Sequence, residues 1–102
     1  MEVQVLHIEE CPSWQETGRR LRAALDVAGR HDVPIAFRLL TSAAEASQVH
    51  FAGSPTILVD GRDLFPSDGR TTSLACRIYL TPTGFAGGPT QAQIVESLAS
   101  LD

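Results

Sequence analysis

The sequence predicts an α/β fold: a four-stranded mixed sheet with helices on both faces, formed by residues 1–102 as one domain. Three observations predict it. Hydrophobic periodicity alternates between the two-residue repeat of strands and the 3.6-residue stripe of helices, in the order β-α-β-α-β-β-α. The first strand candidate is apolar on both faces, as strands interior to a doubly covered sheet are. The last two strand candidates follow each other with no helix between them, which calls for antiparallel pairing. The strand–helix–strand segments before them call for parallel pairing through right-handed crossovers.

The first strand spans Val3 to Ile8, with Val3, Val5 and His7 facing one way and Gln4, Leu6 and Ile8 the other. Glu9-Glu10-Cys11-Pro12 ends it. From Pro12 to Ala28 the period is helical: Trp14, Gly18, Leu21, Leu25 and Ala28 share a face, while Arg19, Arg20, Arg22 and Asp26 lie elsewhere. Pro12 suits the first turn, where its missing N–H would have had no helical partner, and Gly29 closes the helix. Pro34 to Thr41 reads as the second strand, Ile35, Phe37 and Leu39 alternating with Ala36, Arg38 and Leu40. Ser42-Ala43-Ala44-Glu45 has the spacing of a capping box and starts a short helix reaching Val49 or His50.

Phe51 to Pro55 is a break, and Thr56 to Asp60 is the third strand, ended by Gly61. Residues 62–75 are polar and irregular, a stretch long enough to suggest a functional loop. Cys76 to Thr81 alternates as the fourth strand, with Cys76, Ile78 and Leu80 on the inward side and Arg77, Tyr79 and Thr81 on the other. Pro82 to Gly88 is rich in turn residues. Thr90-Gln91-Ala92-Gln93 is a second capping box, opening a last helix whose apolar face is Ile94, Val95, Leu98 and Leu101.

Twelve acidic residues against eight arginines and no lysine give a net charge of −4. That balance argues against a nucleic-acid partner, because phosphate binding needs a basic surface. No apolar run approaches the ~20 residues of a membrane span, and Met1 to Val5 lacks the basic and apolar regions of a signal peptide. The expectation is a cytoplasmic, soluble protein with no membrane partner. The two cysteines, Cys11 and Cys76, are too few for a disulfide scaffold and lack clustered histidines for a metal site. They are expected to matter as thiols, with no cofactor and no metal.

Taken in order, three features carry a family likeness: the element sequence, Cys11 at the first strand-to-helix turn in Cys11-Pro12-Ser13-Trp14, and Gly53-Ser54-Pro55-Thr56 opening the third strand. Together they resemble the thioredoxin-like fold over nearly the whole chain. The segments Glu10 to Trp14, Gly53 to Asp63 and Ala75 to Tyr79 look like a group of small bacterial thioredoxin-like proteins, some of them labelled alkylmercury lyases. The resemblance implies that Cys11 begins the first helix as a reactive thiol and that Pro55 is a cis proline facing it. It also implies a substrate groove bordered by Pro12, Trp14, Ser54 and Pro55, in which backbone beside the cis bond pairs with an extended peptide or a glutathione-like thiol. The sequence departs from dithiol members of the family, because Trp14 stands where the second cysteine of Cys-x-x-Cys would be. Cys11 therefore acts alone, or its partner is Cys76.

A thiolate is the nucleophilic form of cysteine, and a helix N-terminus favours it; Glu9 and Glu10 oppose it if their carboxylates lie close. The bland alternative for Cys11 is an exposed, unemployed thiol. Cys76 on the inward side of a strand reads first as a small buried hydrophobe. It becomes a resolving thiol if the preceding loop folds back far enough to bring its Cα within ~7 Å of Cys11. Trp14 also reads as packing beside the thiol. His7 reads as a hydrogen-bonded core histidine and as the nearest group able to tune Cys11. Arg77 and Tyr79 read as a solvated pair on one strand face, and Asp60 to Asp63 as a tight turn.

The leading functional reading is thiol–disulfide or thiol-adduct chemistry at Cys11, with a protein or low-molecular-weight thiol as partner and the oligomeric state left open. The alternatives are a non-enzymatic binding module on the same fold and a protein that handles soft metals or organomercurials, since thiolates bind soft ions.

Overall fold

The computed structural model describes residues 1–66 and 74–101. Its elements are β1 (Val3–His7), α1 (Ser13–Val27), β2 (Ile35–Leu39), α2 (Ala43–Ser47), β3 (Thr56–Val59), β4 (Arg62–Asp63), β5 (Tyr79–Thr81), β6 (Gly84–Ala86) and α3 (Gln91–Ala99). The molecule is an α/β protein with a four-stranded mixed sheet in the order β2-β1-β3-β4. β1 lies parallel to β2, with Val5 opposite Phe37, and antiparallel to β3, with Val5 opposite Ile57.

The expected antiparallel neighbour of β3 is present, but it is not the segment Cys76 to Thr81. Asp60 and Gly61 both take positive φ, 52° and 81°, the conformation of a two-residue hairpin turn. The chain reverses at once, and Arg62 and Asp63 fill the place beside β3. Residues 76–81 are excluded from that sheet. Within them only Tyr79–Thr81 is a strand, and it pairs with Gly84–Ala86 as a separate two-stranded sheet. Of the expected 62–75 loop, residues 67–73 lie outside the described residues.

Alternation along β1 and β3 divides the core into two layers. Val3, Val5, Ile57 and Val59 pack with Leu21, Leu25, Ile94 and Leu98 of α1 and α3. Leu6, Ile8 and Leu58 pack on the other face with Leu40, Ala46 of α2, Phe51 and Cys11. Each fully buried leucine or isoleucine here contributes roughly 1.5–3 kcal/mol relative to exposure.

Both predicted helix starts are real. Thr90 and Gln93 form the complete capping box. Ser42 caps α2, but the Glu45 carboxylate accepts from Thr41 N and Oγ1 instead of completing the reciprocal pair. α2 ends at Ser47, short of the predicted Val49 or His50. Pro12 is the N-cap of α1, one residue before the helix, and makes no side-chain capping bond. Gly29, at φ 77°, follows the helix end as expected. Among the described residues, no helix is long and apolar enough to cross a membrane.

Candidate functional site: the Cys11–Cys76 disulfide

Cys11 sits at the turn between β1 and α1, and it is joined to Cys76 by a disulfide across a sequence separation of 65 residues, with a Cα–Cα distance of 5.8 Å. The two cysteines are thus cystine sulfurs in this structure, not free thiols. Cys76 is neither buried nor within a strand: it is exposed, while Cys11 is 2% exposed.

The segment Ala75–Arg77 is brought to Cys11 by Ser54. Ser54 N donates to Ala75 O and Arg77 N donates to Ser54 O, both at 2.8 Å, so Ser54 and Cys76 form an isolated parallel bridge. The Ser54 side chain accepts from Ile8 N at 3.0 Å, tying the same residue to the end of β1. The Ser54–Pro55 peptide bond is cis. The backbone expected to be open to a peptide at this proline is therefore engaged by the chain itself. Ser54 uses both its N–H and its carbonyl, and Pro55 O accepts from Tyr79 Oη at 2.5 Å.

Gly53 makes the approach possible. Its φ is 108°, and a Cβ there would meet Arg77 Cβ at 2.7 Å. A side chain would fail on both counts.

Arg77 and Tyr79 are buried, at 9% and 5% exposure, instead of forming a solvated pair. Arg77 Nη1 donates to Asp63 Oδ2 at 2.8 Å, Nη2 donates to Phe65 O, and the guanidinium lies 4.5 Å from the Tyr79 ring centroid. Burial raises the Tyr79 phenol above its ordinary pKa; the Arg77 charge opposes that shift and Asp63 adds to it. The alternation along residues 76–81 is present, although only Tyr79–Thr81 is a strand, and its faces are exchanged. Arg77, Tyr79 and Thr81 point inward, while Ile78 and Leu80 are 70% and 68% exposed. Period-two alternation groups residues into two sets without saying which set is inside. A buried acid, Asp63, supplied the charge partner that let the arginine set be the inner one. The sequence carries no signal for Asp63 and Arg77 as site residues, because an acid and a base 14 residues apart need not meet.

The remaining predicted site residues are divided between faces. Pro12 is exposed beside the disulfide. Trp14 is half-buried against the α1–α3 layer, opposite the cluster that encloses Cys11. Its ring stacks on His7 at 4.0 Å between centroids and 14° between planes, and meets Phe37 edge-on at 5.6 Å. It lines an open groove of about 640 Å³ with Gly18, Ile35 and Phe37. Trp14 is thus a packing residue that borders a different groove from the one beside Cys76. His7 is buried as expected, but its Nδ1 has no hydrogen-bond partner. Burial lowers its pKa, and the Ile8 backbone opposes that more weakly.

Among the described residues, no three His, Cys, Asp or Glu side chains converge where they could hold a metal ion. No known family model, curated protein or solved structure matches this chain.

Proposed function

We propose that this chain is a thioredoxin-like thiol–disulfide exchange protein whose redox pair is Cys11 and Cys76. The observation that carries the reading is the placement of one bridge: it joins Cys11, two residues before α1, to a segment held by the Ser54 backbone. A helix start without a side-chain cap offers N–H groups and a positive dipole end to a thiolate released at Cys11. The other cysteine is an exposed residue that lines a surface groove, the side from which a thiol in solution would reach the bond. The partner is a protein or small thiol, and no cofactor is needed, since electrons move between sulfur atoms. The reading places the protein in the cytoplasm, where disulfides are transient and catalytic or redox-sensing.

A soft-metal role draws no support from the bridged form, which presents no thiolate. The binding-module alternative makes the disulfide a structural staple. Equilibration in dithiothreitol and glutathione buffers separates the two. An exchange protein should give a midpoint within about −270 to −120 mV, whereas a staple should lie below about −300 mV. Mass analysis should show loss of two hydrogens on oxidation within one chain. That loss should vanish in Cys11→Ser and in Cys76→Ser. A midpoint below the exchange range would falsify the reading.

A further inference from the structure

We infer that Cys76, not Cys11, is the sulfur attacked by an incoming thiol, and that this thiol is carried by an apolar polypeptide segment; the inference rests on the exchange reading above. Displacement at a disulfide requires the attacking sulfur to reach one of the two sulfurs. Cys11 is enclosed by Leu6, Ile8, Leu40 and Phe51 and is 2% exposed. Its approach along the cis-proline turn is filled by Ala75–Arg77, which occupy the Ser54 N–H and carbonyl. Cys76 is exposed and opens onto a groove of about 500 Å³ bordered by Phe65, Ile78, Tyr79, Leu80 and Gln93.

The groove also indicates what brings the thiol. The charged side chain lining it, Arg77, is already paired with Asp63, so a small thiol with free carboxylates and an ammonium group finds no counter-charge among the described lining residues. Continuous with the groove is an apolar strip. Ile78 and Leu80 border it, and Phe85, 79% exposed, stands directly opposite Leu80 across the β5–β6 hairpin. An apolar segment with a cysteine reaching Cys76 would bury this strip as its thiol engages the disulfide.

The chemistry balances between partner and protein. The incoming thiolate forms an S–S bond to Cys76 Sγ as the Cys11–Cys76 bond breaks, and the electron pair leaves on Cys11 at the start of α1. A second thiolate of the same partner attacks its own neighbouring sulfur in the mixed disulfide, closing the partner's disulfide and releasing Cys76. The partner dithiol loses two electrons and two protons, and the Cys11–Cys76 pair gains them.

The test uses the oxidised wild-type protein and a synthetic one-cysteine peptide with apolar flanks. The reaction is quenched in acid, free thiols are alkylated, and the adduct is located by mass spectrometry after digestion. The peptide should be on Cys76 and the alkyl group on Cys11. An adduct on Cys11 would overturn the assignment and leave exchange standing; a disulfide that resists every thiol would overturn exchange itself. At equal thiolate concentration the peptide should react at least about tenfold faster than glutathione, the factor one docked apolar side chain supplies. Leu80→Asp, at an exposed position, should bring the peptide's rate toward that of glutathione. Equal rates for peptide and glutathione, or no effect of Leu80→Asp, would overturn the apolar substrate class. An effect of Leu80→Asp seen only as the loss of a dimer would assign the strip to a second copy of this chain.

Discussion

Around Cys11 the chain is held by apolar packing: Leu6, Ile8, Leu40, Phe51 and Leu58 form a closed cluster between the sheet and α2. Around Cys76 it is held by polar anchors: the Ser54 backbone, the Arg77–Asp63 ion pair and the Tyr79 hydroxyl on Pro55. The first region buries the apolar side chains of its strands. The second buries an arginine and a tyrosine and leaves Ile78, Leu80 and Phe85 in solvent. Non-directional burial gives Cys11 a fixed, shielded place, whereas directional bonds hold the Cys76 segment while leaving Cys76 an exposed residue. A disulfide spanning two such regions has one protected and one reachable end.

The comparison breaks most visibly at the ion pair. Asp63→Ala leaves the Arg77 guanidinium buried without its carboxylate and should cost about 3–5 kcal/mol in urea unfolding. A loss under about 1 kcal/mol would show that polar anchoring does not hold the Cys76 side. Reducing the disulfide comes next. Releasing a 65-residue closure should lower stability by about 4 kcal/mol on the chain-entropy account. Hydrogen exchange should then show protection falling at the Arg77 amide and persisting in β1. Uniform loss across both regions would erase the distinction.

On the apolar side, Leu58→Ala removes a buried side chain from the Cys11 cluster and should cost about 3 kcal/mol, with faster alkylation of Cys11 in the reduced protein. Tyr79→Phe keeps the ring against Phe65 and Arg77 but removes the bond to Pro55, for an expected loss of about 1 kcal/mol.

The smallest effect concerns pH. His7 has a folded-state pKa below its unfolded value, so near and below pH 6.5 the unfolded chain binds more protons. Stability should rise with pH up to about 6.5 and then level off with respect to this group. His7→Phe, which preserves an aromatic surface against Trp14, should flatten that slope. An unchanged slope would assign it to other groups.

Much of the frame was legible in the sequence because it depends on local or periodic signals. The two faces of β1, the Thr90 capping box and the Gly29 helix end follow from side-chain alternation, cap chemistry and backbone freedom. The Asp60–Gly61 turn was legible as a turn, but its consequence was not. A two-residue reversal makes Arg62–Asp63 the strand beside β3, leaving Cys76 to Thr81 to find partners elsewhere. Exchanging the faces of that segment turned an expected buried cysteine into an exposed one. The Ser54 backbone illustrates the same limit: nothing local to Ser54 shows that residues 75–77 will occupy it.

By itself the sequence determined the alternation of strands and helices, the helix boundaries set by caps, and the apolar sets that became the two core layers. Each is decided within a few residues by periodicity, side-chain capping or permitted φ. Tertiary structure alone decided that Cys11 meets Cys76, that Arg77 turns inward to Asp63, and that the disulfide joins one buried and one exposed residue. Those outcomes depend on pairings 65 and 14 residues apart, where the favoured face of a segment is set by the partner it finds.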